Sequence, residues 1–392
     1  MADHDSHWQF RTRAIHVGNA RDPQTGAVVP PIHLATTFVQ PGAGVWGEFD
    51  YSRSGNPTRK NFETTIASLE GGCGALAFAS GMAATTCAIT SLSTGDHVLA
   101  GSDIYGGTYR LLHKVVQRYG IEVTLASSHD LDRFAEAIRH NTKMIWVESP
   151  GNPLMSITDL AAIASLGKSR GILVAVDNTF ASPVLTRPLE LGCDIVMHSA
   201  TKYLGGHSDS LGGVLVCKDP ELLKRLYFIQ NATGGVMAPL EAFLASRGMK
   251  TLELRVREQS RTAHRLAEWL EQDKRVSRVL YPGLPDHPGN EIAKRQMDGG
   301  FGAMLTFEVK GQDFAKTKKV CETTRLFQLA VSLGAVESLI EQPASMSHAS
   351  YDAAARAAWG ISDGLIRLSV GLEAFEDLRD DLNQAMQAAG LV

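Results

Sequence analysis

At 392 residues the chain is too long for one ordinary core and suits two domains. Its hydrophobic (44%) and charged (20%) fractions are those of a soluble globular protein, and a formal charge of −4 leaves no basic field for nucleic acid or an anionic membrane. The polar start, Met1-Ala-Asp-His-Asp-Ser-His7, lacks the apolar core of a secretory signal, and no apolar run nears the roughly 18 residues of a membrane span. Five scattered cysteines without a Cys-x-x-Cys pair are expected to be buried free thiols in a reducing cytoplasm.

Residues 1–60 carry many Gly and Pro, with Pro30-Pro31 and Gly42-Ala-Gly44 opposing long regular elements, and read as an extended N-terminal arm. From about residue 70 short apolar runs alternate with helical stretches. The runs are Ala75–Ala79, His97–Ala100, Glu122–Leu125, Met144–Glu148, Ile172–Asp177, Asp194–His198 and Gly213–Cys217. They are apolar along their length, as strands covered by helices on both faces would be, and predict an α/β domain with a mainly parallel sheet. A long helical region over Pro239–Gln272 follows, including Thr251–Glu271. The Pro- and Gly-rich stretch Tyr281–Gly289 then opens a smaller α+β unit, with strands at Ala303–Val309 and Leu365–Val370 and a last helix over Glu373–Ala388. The expected division is an arm over 1–60, a large domain over 61–255 and a small C-terminal domain over 256–392.

The chemistry gathers where these strands end. In open α/β sheets ligands bind at the carboxyl edge. The run ending at His198 continues Ser199-Ala-Thr201-Lys202, two hydroxyls suited to a phosphate and an amine able to form an imine. Taken alone, a motif of this kind reads better as a surface turn with a solvated lysine. Asp177 ends a neighbouring strand, where a carboxylate can keep a pyridine nitrogen protonated or simply cap a turn. Ser80-Gly81 opens a helix whose first N–H groups suit an anion. Glu148-Ser-Pro-Gly-Asn152-Pro153 is a fourth exit, and Asn152 is placed to reach a cofactor oxygen. Four such exits on one edge are far less expected by chance than any one of them. Tyr105 offers a ring for stacking, and Tyr51 and Arg53 sit in the arm, where neither serves a local core. Arg367 lies mid-strand among apolar residues and needs a partner, either a substrate carboxylate or a structural ion pair. The thirteen histidines show no metal-ligand spacing, so no metal is expected.

Taken in order, Tyr51-Ser-Arg-Ser-Gly-Asn-Pro-Thr58, Ala79-Ser-Gly-Met-Ala-Ala84, Val176-Asp-Asn-Thr-Phe180, Ser199-Ala-Thr-Lys-Tyr203 and Ile366-Arg-Leu-Ser-Val-Gly-Leu-Glu373 resemble the Cys/Met-metabolism family of pyridoxal-5′-phosphate (PLP) enzymes. That family includes cystathionine γ-synthases, cystathionine β- and γ-lyases and methionine γ-lyases. The resemblance implies PLP as cofactor and the aspartate-aminotransferase fold (fold type I), with a seven-stranded large-domain sheet, in a homotetramer built from two active dimers. It implies that Lys202 holds PLP as a Schiff base and later acts as base on the α-proton, with Tyr105 stacking on the ring and assisting proton transfer. Asp177 would partner the pyridine nitrogen, and Gly81, Met82, Ser199 and Thr201 the phosphate. Tyr51 and Arg53 would reach the phosphate of the neighbouring subunit. Asn152, Ser332 and Arg367 would hold the cofactor oxygen and the substrate carboxylate.

Within the family, Val331 stands where cystathionine γ-lyases and γ-synthases usually carry a glutamate, and Gly107 where methionine γ-lyases carry a cysteine. The reading favoured is a cytoplasmic carbon–sulfur lyase acting on cystathionine, β-cleavage ahead of γ-cleavage, that releases a thiol, a 2-oxo acid and ammonia. The alternatives are a γ-synthase-type transferase joining cysteine to an O-acylhomoserine, a methionine γ-lyase, and a catalytically inert PLP-binding protein. Intact Lys202, Asp177 and Arg367 speak against the last.

Overall fold

The computed structural model describes residues 7–347, 349, 356 and 359–391. The acidic start over residues 1–6 lies outside the described residues.

Seven strands form the first sheet: β1 (Gly74–Phe78), β2 (His97–Gly101), β3 (Glu122–Ala126), β4 (Thr142–Glu148), β5 (Leu173–Asp177), β6 (Ile195–Ser199) and β7 (Gly213–Cys217). Each expected apolar run is one of these strands to within a residue or so. Their spatial order is β1-β7-β6-β5-β4-β2-β3, and β7 alone runs against the others. Central strands are buried on both faces: β2, β6 and β7 show hardly an exposed residue, because helices cover both sides. The carboxyl ends of β4, β5 and β6 therefore open on one edge, while the reversed β7 starts there, pairing Gly213 with Ser199 and with Phe78.

Helices Pro239–Met249 and Leu252–Glu271 lead out of this sheet. The longer one is amphipathic, burying Leu252, Val256, Ala263, Leu266 and Leu270 at three- and four-residue spacing. Position 255/256 falls inside it. The second sheet holds β8 (Val276–Leu280), β9 (Met304–Val309), β10 (Gln328–Leu329), β11 (Leu339–Glu341) and β12 (Leu365–Ser369), ordered β10-β11-β12-β9-β8 and antiparallel except for the β10–β11 pair. Only β9 and β12 carry the apolar run expected of a strand. Helix Phe375–Ala388 closes this layer, and one hydrophobic core runs from Val196 and Val214 of the first sheet to Leu305, Phe307 and Ile366 of the second.

The N-terminal segment has a short helix, Phe10–His16, which the sequence reading did not anticipate, and then continues to residue 56 with isolated bridges only. It leaves Val28, Leu34, Val39 and Trp46 strongly exposed. The five cysteines are all free, as expected, but Cys73 is exposed while the other four are buried. Among the described residues no helix is long and apolar enough to cross a membrane, and no group of His, Cys, Asp or Glu could hold a metal ion.

Candidate active site

Lys202 leaves the end of β6 and turns back toward the second sheet, where its Nζ donates to Ser332 Oγ at 2.5 Å. Burial lowers the Lys202 pKa to about 8, and the Arg367 charge acts in the same direction, opposed by Glu341 and Asp177. Ser332 sits at φ +98°, a conformation that a non-glycine residue adopts at a cost of about 1–3 kcal/mol. That backbone brings its hydroxyl to Lys202 while its carbonyl accepts from Arg367 Nη2 at 3.0 Å.

Arg367 lies in β12 with its side chain buried. Nη1 donates to Asn152 Oδ1 at 2.9 Å and pairs with Glu341 Oε1 at 3.0 Å, whereas Nε has no partner. The structural ion pair weighed from sequence is thus present, yet the buried Nε is left without a partner. Asn152 turns its carbonyl oxygen to Arg367, which leaves Nδ2 to donate elsewhere.

Asp177 ends β5, buried, with Oδ1 accepting from the Thr179 N–H at 3.0 Å. Burial raises its pKa, opposed by the Thr179 hydrogen bonds, His198 and Lys202. A cationic ring nitrogen would supply the charge that this carboxylate lacks. Beside it, paired in register, stands Glu148 at the end of β4. Glu148 is buried as well, and burial with the nearby Asp177 charge pushes its pKa well up. Its Oε2 accepts from the Tyr105 N–H at 2.8 Å.

The segments at the ends of β1, β6 and β7 meet at a helix start suited to an anion. Ser80 caps helix Gly81–Ile89 by accepting from the Ala83 N–H at 3.1 Å, so the N–H groups of Gly81 and Met82 start the helix uncovered. A Cβ on Gly81 would lie 3.1 Å from Ser199 Cβ, so the helix start and Ser199 abut. Gly213 permits this: a Cβ there would meet Ser80 O at 2.3 Å. Thr201 Oγ1 donates to Gly212 O at 3.2 Å and accepts from Gly212 N at 3.1 Å, fixing the turn that carries Lys202. An amine, a buried carboxylate and a helix start with uncovered N–H groups thus lie on one edge, a set of groups that fits PLP.

The remaining expected residues lie around this centre. Tyr105 is 46% exposed, its ring folded over Gly107, where an added Cβ would come within 2.4 Å of Tyr105 Cε1 and 2.8 Å of Met82 Sδ. Val331 is 58% exposed beside Ser332. Tyr51 and Arg53 are apart from the rest on the arm: Arg53 Nε donates to Asn231 Oδ1 at 3.3 Å and its guanidinium lies 5.6 Å from the Tyr51 ring centre. Lys202 instead meets Ser332, which lies beyond β10 in sequence. Glu148 and Glu341 escaped the sequence reading. The available signal was an acidic residue closing an apolar strand, which calls for a buried partner.

Comparison with known proteins agrees with this geometry. Residues 11–387 match the family described as Cys/Met metabolism PLP-dependent enzyme. A cystathionine β-lyase of Coxiella burnetii is 51% identical over 377 residues, covering 96% of this chain and 97% of its own. A cystathionine γ-synthase of Mycobacterium tuberculosis is also 51% identical over 377 residues, covering 96% of each chain. The crystal structure of a cystathionine γ-lyase from Lactobacillus plantarum, complexed with L-serine, superposes with a TM-score of 0.95 at 45% identity over 98% of this chain and 100% of that one. A chain that shares its sequence with this family almost from end to end, and its fold with a solved γ-lyase, belongs to the PLP-dependent enzymes of Cys/Met metabolism and has their fold type I architecture.

Proposed function

We propose that the protein is a trans-sulfuration carbon–sulfur lyase acting on cystathionine, with β-cleavage favoured over γ-cleavage. The observation that carries this reading is the relay Lys202–Ser332–Arg367. Lys202 Nζ meets the Ser332 hydroxyl, and Arg367 meets the carbonyl of the same residue. In this reading an amino acid whose carboxylate is held by Arg367 has its α-carbon close to Lys202 Nζ, because both side chains meet at Ser332. Relatives named for β-lyase, γ-synthase and γ-lyase activity support sulfur amino-acid chemistry and leave the cleaved bond open.

In this reading Arg367 orients the carboxylate, and Lys202, able to lose its proton near neutral pH, removes the α-proton. PLP, when bound, supplies an electron sink for the pair left at the α-carbon. Asp177 holds the proton on the ring nitrogen, and Ser199, Thr201, Gly81 and Met82 hold the phosphate. Tyr105 covers the ring, and its hydroxyl is a candidate to carry the proton to the departing sulfur. Tyr51 and Arg53 complete the site of a neighbouring subunit, so that a dimer is the working unit within a tetramer. The arm over 1–60, the large domain over 61–255 and the small domain over 256–392 share the task accordingly. Val331 gives the substrate's distal amino group no carboxylate, which favours reading the site as a β-lyase. The packing at Gly107 disfavours a methionine γ-lyase, because a cysteine side chain there would displace Tyr105 and Met82.

The test is to incubate the PLP-loaded enzyme with L-cystathionine and identify products by mass spectrometry. Pyruvate with homocysteine is expected. 2-Oxobutyrate with cysteine would replace β- by γ-cleavage, and no product would move the assignment to the synthase, assayed with cysteine and an O-acylhomoserine.

A further inference from the structure

Glu341 has no place in the reaction derived above, yet it lies directly across from Arg367 in the β11–β12 ladder. Both side chains are almost fully buried, at 1% and 5% exposure, and Glu341 Oε1 is 3.0 Å from Arg367 Nη1. Ser347 Oγ donates to the same Oε1 at 2.7 Å, and Oε2 has no partner. Arg367 therefore keeps a counter-ion on Nη1, while its Nε, buried like the rest of the side chain, has no partner. A carboxylate arriving there makes a second anion on one guanidinium. In a buried setting two like charges on opposite sides of one cation repel appreciably.

We propose that Glu341 is a specificity-determining residue: a built-in counter-ion that weakens the grip of Arg367 on the α-carboxylate. Every amino acid carries that carboxylate, so weakening the common handle shifts discrimination onto the distal part of the substrate. This rests on the reading of Arg367 as the carboxylate site, and the experiment separates the two. Equilibrium binding of glycine, which has the carboxylate and no leaving group, is measured on PLP-loaded enzyme by calorimetry. Glu341→Gln should bind glycine about tenfold or more tightly than wild type, while Glu341→Asp, which keeps the charge, should stay near wild type. Unchanged or weaker binding in Glu341→Gln overturns the proposal, as does equal tightening in both variants, which would point to shape rather than charge. Arg367→Ala serves as the parent test: if it binds glycine as wild type does, the carboxylate reading itself fails. Should Glu341→Gln not fold, Ser347→Ala replaces it. That change removes a hydrogen bond competing for Oε1, so glycine binding should weaken, and tighter or unchanged binding overturns the proposal.

Discussion

The main-chain N–H of Tyr105 donates to the buried carboxyl of Glu148, 2.8 Å away and next in register to Asp177. A residue at the end of β4 thereby anchors the main chain that carries the Tyr105 ring. Burial pushes the Glu148 pKa up, and a glutamine, neutral and keeping an acceptor oxygen for this N–H, is the close substitute where alanine is not. Glu148→Gln should keep kcat/KM within about threefold of wild type. Glu148→Ala removes the acceptor of this part-buried N–H, at about 1 kcal/mol, and should lose about tenfold or more in kcat/KM. It should also diminish the visible circular dichroism of bound PLP, which reports ring placement. Equal behaviour of the two variants would show that Glu148 does not position Tyr105.

Burial, first among its causes, lowers the Lys202 pKa from 10.5 to about 8. Below that pH its Nζ is an ammonium and cannot attack an aldehyde. The rate at which apoenzyme takes up PLP should therefore rise about tenfold per pH unit below 8 and level off above it, unlike a surface lysine, whose rate would still climb beyond pH 9. Stopped-flow absorbance of imine formation checks this. Lys202→Ala should fold and assemble normally with no measurable turnover.

Much of this was legible in the sequence, for a physical reason. Strands buried on both faces are written as unbroken apolar runs, so β1 to β7 and the residues at their exits could be read directly. Direction could not: nothing in Gly213–Cys217 shows that β7 runs against its neighbours. β8 was missed because Ser277 and Arg278 are exposed in mid-strand, and β10 and β11 because two or three residues carry no period. Arg367 announced itself as a charge among apolar residues, but its partner Glu341 lies 26 positions away on another strand, and only the fold joins them. The approach of Ser80 to Gly213 is equally invisible in sequence.

That approach gives a third prediction. A methyl group at Gly213 would lie 2.3 Å from Ser80 O and 2.6 Å from Gly81 Cα, both backbone atoms that must move together. Gly213→Ala should destabilise the protein by about 1–3 kcal/mol through overpacking. More specifically, it should push the start of helix Gly81–Ile89 away from Ser199 and raise the dissociation constant for PLP by about tenfold or more. A lowered Tm with unchanged PLP affinity would mean that the cradle tolerates the shift.

Arg53 tests whether the arm serves a second subunit. Its loop is held from behind by Arg59, whose buried guanidinium donates to Ser52 O at 2.7 Å and Arg53 O at 3.1 Å and lies 3.7 Å from Glu63. The loop is thus held in place with Tyr51 and Arg53 both exposed. Arg53→Ala should lose PLP on dialysis, because a charge-assisted contact to the phosphate is gone. Mixing inactive Lys202→Ala subunits with Arg53→Ala subunits then distinguishes the two geometries. If Arg53 reaches across the interface, each mixed dimer holds a site with its own Lys202 and its partner's intact Arg53, and activity returns. If Arg53 serves its own chain, every site in the mixture carries a defect and activity stays at the level of the unmixed variants. Recovery on mixing, measured as turnover after refolding the two together, is the expected result.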